Sequence, residues 1–192
     1  MSVVVGIFVG GAGSRMGGVA KGLLTAPAST QSLLARLLGV CGGALPGVVP
    51  VLVGRNAAYA EFSLLALDDD PPGVGPIGGF HALLKHAQET NAARVLALAC
   101  DLPYLDAAVI SQLNLPLNRP ARVPFVGGRL QPLAAAYATE RTLAAVERTL
   151  ARGERALMRV LAELGEDVEK LEGDAAFAAA FRDWDTPEDI RR

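Results

Sequence analysis

A glycine-rich loop carrying two cations follows the first apolar run of the chain. The run Val3–Val9 leads into Gly10–Gly18, where five of the nine residues are glycine, and Lys21 follows this loop closely. Glycines let backbone N–H groups approach a ligand, and successive N–H groups form a concavity that binds anions. Arg and Lys side chains neutralise phosphate charge. We therefore predict a phosphate-binding loop that includes Gly10, Gly11, Gly13, Ser14 and Arg15, together with Lys21.

Two common phosphate-binding motifs do not fit this loop. The dinucleotide fingerprint needs a third glycine where Met16 stands. The P-loop needs Lys-Ser or Lys-Thr directly after its last glycine, but Val19 follows Gly18, and Gly22 follows Lys21. The loop therefore belongs to another class of phosphate site.

Carboxylates follow two further predicted strands. Asp68–Asp70 come after Leu64–Leu67, and Asp101 comes after the buried run Arg94–Ala99. The ligand crevice of a parallel sheet lies at the carboxyl ends of its strands, so these groups and the glycine-rich loop are expected to share one site. Asp101 is a candidate Mg²⁺ ligand, because Mg²⁺ takes one or two carboxylates plus phosphate oxygens and water. A turn or N-cap aspartate is the alternative.

Apolar runs alternate with helix-like segments along the chain. Strands are predicted at Val3–Val9, Val48–Val53, Leu64–Leu67, Arg94–Ala99, Val168–Leu171 and up to Trp184-Asp185. Helices are predicted around Leu33–Leu38, Ile77–Gln88, Asp106–Leu113, Glu140–Ala151 and Glu154–Leu164 and after Thr186. The segment 122–137 predicts a hairpin or a bulged strand pair. This alternation predicts a single-domain α/β three-layer sandwich, with a mostly parallel, Rossmann-like sheet and helices on both faces.

Composition excludes several classes of protein. The net charge is −2 and no basic stripe is present, so nucleic acid is not an expected partner. No apolar stretch approaches the roughly 18 residues of a membrane span, and the cytoplasm is the expected location. Cys41 and Cys100 lie far apart without a metal-binding pattern, which predicts two free buried thiols.

The first loop and five later segments together resemble a known family. The loop reads strand-Gly-Gly-x-Gly-Ser-Arg-Met-Gly-Gly-x-x-Lys, and the later matches, in order, are Gly75–Gly79, Cys100–Pro103, Gln131–Tyr137, Gly153–Met158 and Asp185–Asp189. In these motifs the chain resembles the molybdenum cofactor guanylyltransferases of the nucleotidyltransferase superfamily. Two departures occur. Leu24–Thr30 lacks the usual Gly-Lys-Pro-type turn, and Asp185 replaces the usual Asn.

The resemblance implies an Mg²⁺-dependent transfer of GMP from GTP to the phosphate of molybdopterin, with release of pyrophosphate. It implies triphosphate contacts from Lys21 and Arg15, and metal ligation by Asp101, with Asp185 either a second ligand or a helix cap. Nucleotide binding is expected in residues 1–105 and acceptor binding in 106–192. GTP and molybdopterin are the expected partners, and proteins of cofactor biosynthesis or acceptor enzymes are further candidates.

Several assignments stay open for the residues expected to bind the base. Asp68 or Asp69 is a candidate to accept the guanine N1–H and N2–H₂ groups, with an acidic surface turn as the alternative. Asn56 contacts the base or is an ordinary loop residue. The resemblance places the remaining candidates against the base or ribose: Gly75, Pro76 and Gly78. The paired Gly10-Gly11 favours a purine over the cytidylyl branch. The sequence also leaves open a transferase that acts on a sugar phosphate and a non-enzymatic nucleotide-binding module.

Overall fold

A mixed sheet of eight strands forms the middle layer of the structure, a computed structural model that describes residues 2–9 and 20–184. The strands are β1 (Val3–Phe8), β2 (Val51–Val53), β3 (Ala66–Leu67), β4 (Arg94–Ala99), β5 (Ala121–Val126), β6 (Arg129–Leu130), β7 (Ala134–Ala138) and β8 (Val168–Leu171). Strand β1 lies between β2 and β4 and pairs with both in parallel. Both faces of β1 are covered by helices, which explains its continuous apolar sequence.

The second half of the sheet changes direction. Parallel pairing joins β3 to β2 and β5 to β8, whereas β7 runs antiparallel between β4 and β5. Strands β6 and β7 both pair with β5, and an irregular stretch that begins at Gln131 separates β6 from β7 along the chain. The predicted bulged hairpin is therefore present.

Helices cover both faces of this sheet. They are α1 (Leu33–Ala44), α2 (Pro76–Glu89), α3 (Ala107–Leu113), α4 (Thr139–Ala151), α5 (Leu157–Leu164) and α6 (Ala175–Ala179). Helices α1 and α3 pack in one core cluster with alternate strand residues such as Ile7 and Leu98. Helices α2, α4 and α5 pack in the other, with residues such as Val53 and Val95. No helix of the described residues has the length and apolar character that a membrane span requires.

Local capping explains where several helices begin. Ser32 and Asp106 accept hydrogen bonds from the N–H groups of Ala35 and Val109, three residues later, at the starts of α1 and α3. These side chains satisfy donors that have no partner inside the helix. Helix α2 begins differently, with Gly75 at a φ of 78° and Pro76 at the first helical position.

Some predicted bounds need correction. The second strand begins only at Val51, because Pro50 has no N–H to donate to a ladder. Helix α5 begins at Leu157 rather than Glu154, after a turn at Gly153 with a φ of 74°. Trp184 is not in a strand, and the predicted helix after Thr186 lies outside the described residues. Both cysteines are free and buried, as predicted.

The parallel strands end at the same edge of the sheet. Phe8 is in register with Val53 and with Ala99, and Val53 is in register with Leu67. The residues that follow β1, β2, β3 and β4 therefore emerge side by side. The candidate site is built on this carboxyl edge.

Candidate active site

Lys21 and Asp101 meet at the carboxyl edge, although 80 positions separate them in the chain. The Lys21 Nζ atom donates to Asp101 Oδ2 at 3.1 Å. Their side chains are 21% and 23% exposed, so both remain accessible to a ligand. The structure thus brings together the cation and the carboxylate that the sequence predicts to share a site.

A short helical turn fixes the backbone at Lys21. It spans Lys21–Leu23, and Ala20 and Lys21 accept the N–H groups of Leu23 and Leu24. The N–H of Gly22 donates to the Tyr59 hydroxyl at 3.1 Å. Tyr59 lies in a second turn, Ala57–Phe62, between β2 and β3, and is 2% exposed.

Main-chain hydrogen bonds of Asp101 and of its neighbour Cys100 hold this part of the site in place. The N–H of the preceding Cys100 donates to the carbonyl of Phe8 at the end of β1. The carbonyl of Asp101 accepts the N–H of Trp184 at 3.1 Å. The Trp184 side chain is buried with Ala26 in the small cluster that follows the Lys21 turn. Trp184 therefore contacts the main chain of Asp101 and the segment that follows the Lys21 turn.

Burial keeps the thiol of Cys100 protonated. Loss of solvation raises its pKa to about 12, and the charge of the neighbouring Asp101 carboxylate acts in the same direction. A protonated thiol is a poor nucleophile and a poor metal ligand. Cys100 therefore contributes packing and is suited neither to nucleophilic attack nor to metal binding.

The three consecutive aspartates after β3 have different surroundings. Asp68 binds Arg55 through two hydrogen bonds of 2.8 and 3.0 Å, which lower the pKa of its carboxyl. Asp70 accepts from Lys85 at 2.7 Å, which lowers its pKa too. Asp69 has no such partner in the described part of the chain, and its pKa is raised by burial and then by the charge of Asp68.

The start of α2 packs closely against Asp69. A Cβ atom on Gly79 would lie 3.0 Å from Asp69 Oδ1 and 2.6 Å from a methyl carbon of Val53. A Cβ atom on Gly78 would lie 2.5 Å from the Pro71 carbonyl oxygen. Only glycine allows this approach. It brings the Asp69 carboxylate and the first turn of α2 to the carboxyl edge beside β2.

The remaining predicted residues fall into two groups. Gly75 and Pro76 are exposed at the start of α2, and Asn56 accepts the N–H of Ala58 at 2.9 Å, which begins the turn that carries Tyr59. The rest lie outside the described residues: Gly10, Gly11, Gly13, Ser14, Arg15 and Asp185.

A divalent cation suits the donors at this edge. Asp101 offers a partly exposed carboxylate, and Lys21, which binds it, carries its charge on a flexible stem. No group of three or more His, Cys, Asp or Glu side chains forms a closed metal cage among the described residues. One open carboxylate is the usual protein contribution to Mg²⁺ bound on a phosphate substrate. The residues therefore fit Mg²⁺ held jointly with a triphosphate.

A family model matches this architecture over most of the chain. Residues 5–168 match the model of the MobA-like NTP transferase domain, and this range contains Lys21, Asp101 and all eight strands except the first two residues of β1 and the last three of β8. The chain belongs to the MobA-like NTP transferase family. It is an enzyme of the nucleotidyltransferase type.

Individual relatives of this family agree with that assignment. A molybdenum cofactor guanylyltransferase of Pseudomonas fluorescens is 33% identical over 161 residues, which is 81% of this chain and 77% of that protein. A probable molybdenum cofactor guanylyltransferase of Clostridium perfringens is 34% identical, but its match covers only 45% of this chain and 43% of the relative.

A solved structure supports the same family and fold. Molybdopterin-guanine dinucleotide biosynthesis protein A from Archaeoglobus fulgidus superposes with a TM-score of 0.76 at 25% identity. The superposition covers 98% of this chain and 95% of that one. The α/β sandwich predicted from the sequence is thereby confirmed.

Sequence reasoning missed the residues that hold the predicted ones in place. The Tyr59 hydroxyl binds the turn that carries Lys21, Arg55 pairs with Asp68, and Lys85 pairs with Asp70. Tyr59 gives one sequence signal, because a tyrosine in a short segment between two predicted strands requires a partner for its hydroxyl once buried. The identity of that partner is not encoded in any local pattern.

Proposed function

We propose that this enzyme transfers GMP from GTP to the terminal phosphate of molybdopterin, forming the guanine dinucleotide cofactor and pyrophosphate. The observation that carries the proposal is the contact between Lys21 and Asp101 at 3.1 Å on the carboxyl edge of the sheet. It unites a cation and a metal-competent carboxylate in a chain whose family relatives bear the name molybdenum cofactor guanylyltransferase.

The chemistry needs alignment and charge neutralisation more than nucleophile activation. The attacking phosphate oxygen is already anionic, so no base is required. It forms a bond to the α-phosphorus of GTP, and the bond from that phosphorus to the bridging oxygen breaks, so pyrophosphate leaves with the electron pair. Lys21 and, in this proposal, Arg15 neutralise the triphosphate and the departing charge. The proposed loop amides at Gly10, Gly11, Gly13 and Ser14 orient the phosphates.

Asp101 would hold Mg²⁺, with Asp185 as the proposed second ligand. When bound, the ion supplies charge neutralisation to the phosphate oxygens. Asp101 keeps a fixed position for this task because its main chain is bound to Trp184, while its neighbour Cys100 is bound to Phe8.

Asp69 is the proposed guanine-binding residue among the three aspartates. Arg55 and Lys85 already neutralise Asp68 and Asp70, whereas no cation of the described residues is paired with Asp69. A carboxylate accepts the N1–H and N2–H₂ groups of guanine as a pair, and cytosine has no equivalent edge. Gly75, Pro76 and Gly78, with Asn56, would line the ribose and base around it.

Residues 106–192 are assigned to the acceptor. They contain the reversed part of the sheet and helices α4 and α5, whereas residues 1–105 contain all the nucleotide-binding candidates.

The decisive experiment supplies the purified chain with Mg²⁺, molybdopterin and one nucleoside triphosphate at a time. We expect pyrophosphate release with GTP and a dinucleotide product of the matching mass. A clear preference for CTP would assign the chain to the cytidylyl branch. Turnover of a sugar 1-phosphate with none of molybdopterin would select a different transferase. Binding of GTP without pyrophosphate release under every condition would contradict catalysis altogether.

A further inference from the structure

We propose that Tyr59 is a positioning residue of this active site, which sets the location of the Lys21 ammonium group by binding the main chain of the turn that carries it. The proposal deepens the proposed function and rests on it for the role of Lys21. Tyr59 touches neither phosphate nor metal in this proposal. It acts through Gly22.

The turn of Lys21 has a donor that only another element can satisfy. In a helical turn that begins at Lys21, the first N–H groups have no acceptor within the turn itself. Helices usually meet this need with a side chain from the residue just before them, but Ala20 has none that accepts. The Tyr59 hydroxyl, 37 positions away, accepts the Gly22 N–H at 3.1 Å in a buried location.

The packing around this hydrogen bond restricts both partners. A Cβ atom on Gly22 would lie 2.9 Å from Tyr59 Cε1 and 3.0 Å from its hydroxyl oxygen, so the backbone of the turn lies directly on the ring. Tyr59 is 2% exposed and belongs to the same core cluster as Cys100. A close-packed interior holds a buried aromatic ring in place. The Tyr59 ring therefore fixes the position of the Lys21–Leu23 turn relative to the sheet.

The Tyr59 hydroxyl adds no charge to the site. Burial raises the pKa of Tyr59 to about 12, and the charge of Asp101 acts in the same direction. The hydroxyl therefore remains protonated and neutral at physiological pH. It accepts from Gly22 without adding charge beside the Lys21–Asp101 pair.

The first test is the variant Tyr59→Phe, which removes the hydroxyl and keeps the ring. We expect kcat for pyrophosphate release to fall by about tenfold to a hundredfold, because a shift of about 1 Å in a catalytic group has an effect of this size. We expect KM for GTP to rise by a smaller factor than kcat falls, because Lys21 is one triphosphate contact among several, and the loop amides and base contacts are untouched.

A matched control removes a comparable buried hydroxyl elsewhere. Thr142 in α4 donates to the Pro120 carbonyl at 3.2 Å and is fully buried, so its side chain has no surface to offer to either substrate. The variant Thr142→Val should lower the melting temperature as Tyr59→Phe does, yet leave kcat unchanged. Equal loss of kcat in both variants would mean that Tyr59 acts only through stability, which would overturn the proposal.

A double-mutant cycle with Lys21→Met tests whether the effect passes through Lys21. In the Lys21→Met background, adding Tyr59→Phe should change kcat by less than about twofold, because the ammonium group it positions is gone. If Tyr59→Phe costs the same factor in both backgrounds, Tyr59 does not position Lys21.

The set of variants separates this proposal from the proposed function. If the wild-type chain binds GTP but does not transfer GMP to molybdopterin, the proposed function fails, and the same cycle is measured on GTP affinity by calorimetry with Mg²⁺. Coupling between Tyr59 and Lys21 in that affinity then supports the positioning role, and its absence contradicts it. A wild-type chain that binds no nucleoside triphosphate would overturn both proposals.

Discussion

The variant Asp101→Asn separates stability from chemistry at the proposed metal site. At 3.1 Å, two unit charges attract by about 5 kcal/mol in a medium of effective dielectric constant near 20. Loss of hydration offsets most of that attraction. The side chains are 21% and 23% exposed, so the net contribution should lie between that of a surface pair and a buried one, at about 1–2 kcal/mol. For a chain of this size, the melting temperature should fall by about 2–8 °C.

The same variant should lose most of its kcat while its free energy of unfolding changes only slightly. A loss of about 1–2 kcal/mol leaves a domain of ordinary stability almost entirely folded. Removal of a charged group that stabilises the transition state lowers kcat by about 10²–10³. Thermal unfolding and steady-state pyrophosphate release, measured on the same preparation across a Mg²⁺ titration, would give the two quantities separately. The Mg²⁺ concentration for half-maximal activity should also rise.

The control Asp106→Asn makes the same chemical change five positions later. Asp106 begins α3 by accepting the N–H of Val109, and Asn caps helices equally well. This control should keep full activity. If Asp101→Asn kept more than about a tenth of the wild-type kcat with an unchanged Mg²⁺ dependence, the metal assignment would be refuted.

Three further outcomes are expected. Asp69→Asn should weaken GTP binding by about tenfold or more in calorimetry, as expected for one charged hydrogen-bonding group. In the wild type, guanine binding needs the ionised Asp69 carboxyl, so the affinity for GTP should fall as the pH falls through the pKa of Asp69. Because that pKa is raised, this loss of affinity should begin at a higher pH than for an ordinary aspartate. The variant Asp69→Asn should show no such pH dependence. Phe80→Ala, which empties a core position in edge-on contact with Tyr137, should destabilise the protein by about 3–5 kcal/mol in denaturant titration while KM for GTP stays constant. Chelation of divalent ions should abolish pyrophosphate release, and added Mg²⁺ should restore it; activity that persists in excess chelator would exclude a metal requirement.

The fold was accessible from sequence wherever burial alone decides the local structure. The run Arg94–Ala99 matches β4 in both bounds because an apolar segment of strand length can be covered only in the middle of a sheet. The start of α5 was not accessible. Glu154 and Arg155 are good helix formers, but the turn at Gly153 leads them into an irregular segment that ends at Ala156. The left-handed backbone at Gly153 ends the preceding helix and overrides their intrinsic preference.

The approach of two predicted site residues could be anticipated from the sequence, whereas the surroundings of the three consecutive aspartates could not. Topology alone brings Lys21 and Asp101 together, because the residues after neighbouring parallel strands share an edge. The different environments of Asp68, Asp69 and Asp70 could not be predicted. They depend on two cations from distant parts of the chain: Arg55, which follows β2, pairs with Asp68, and Lys85 of α2 pairs with Asp70. Three adjacent aspartates carry no local sequence signal that would distinguish them.

Two of the residues that sequence reasoning overlooked act on the main chain of the site. Tyr59 binds the amide of Gly22, and the amide of Trp184 binds the carbonyl of Asp101. Nearly every amino acid presents the same amide and carbonyl, so the bound partner carries no signature in its own residue type. A triphosphate site needs its charged groups held to within a fraction of an ångström. In the proposed chemistry the buried aromatic residues supply this rigidity, while in the sequence they are indistinguishable from ordinary core residues.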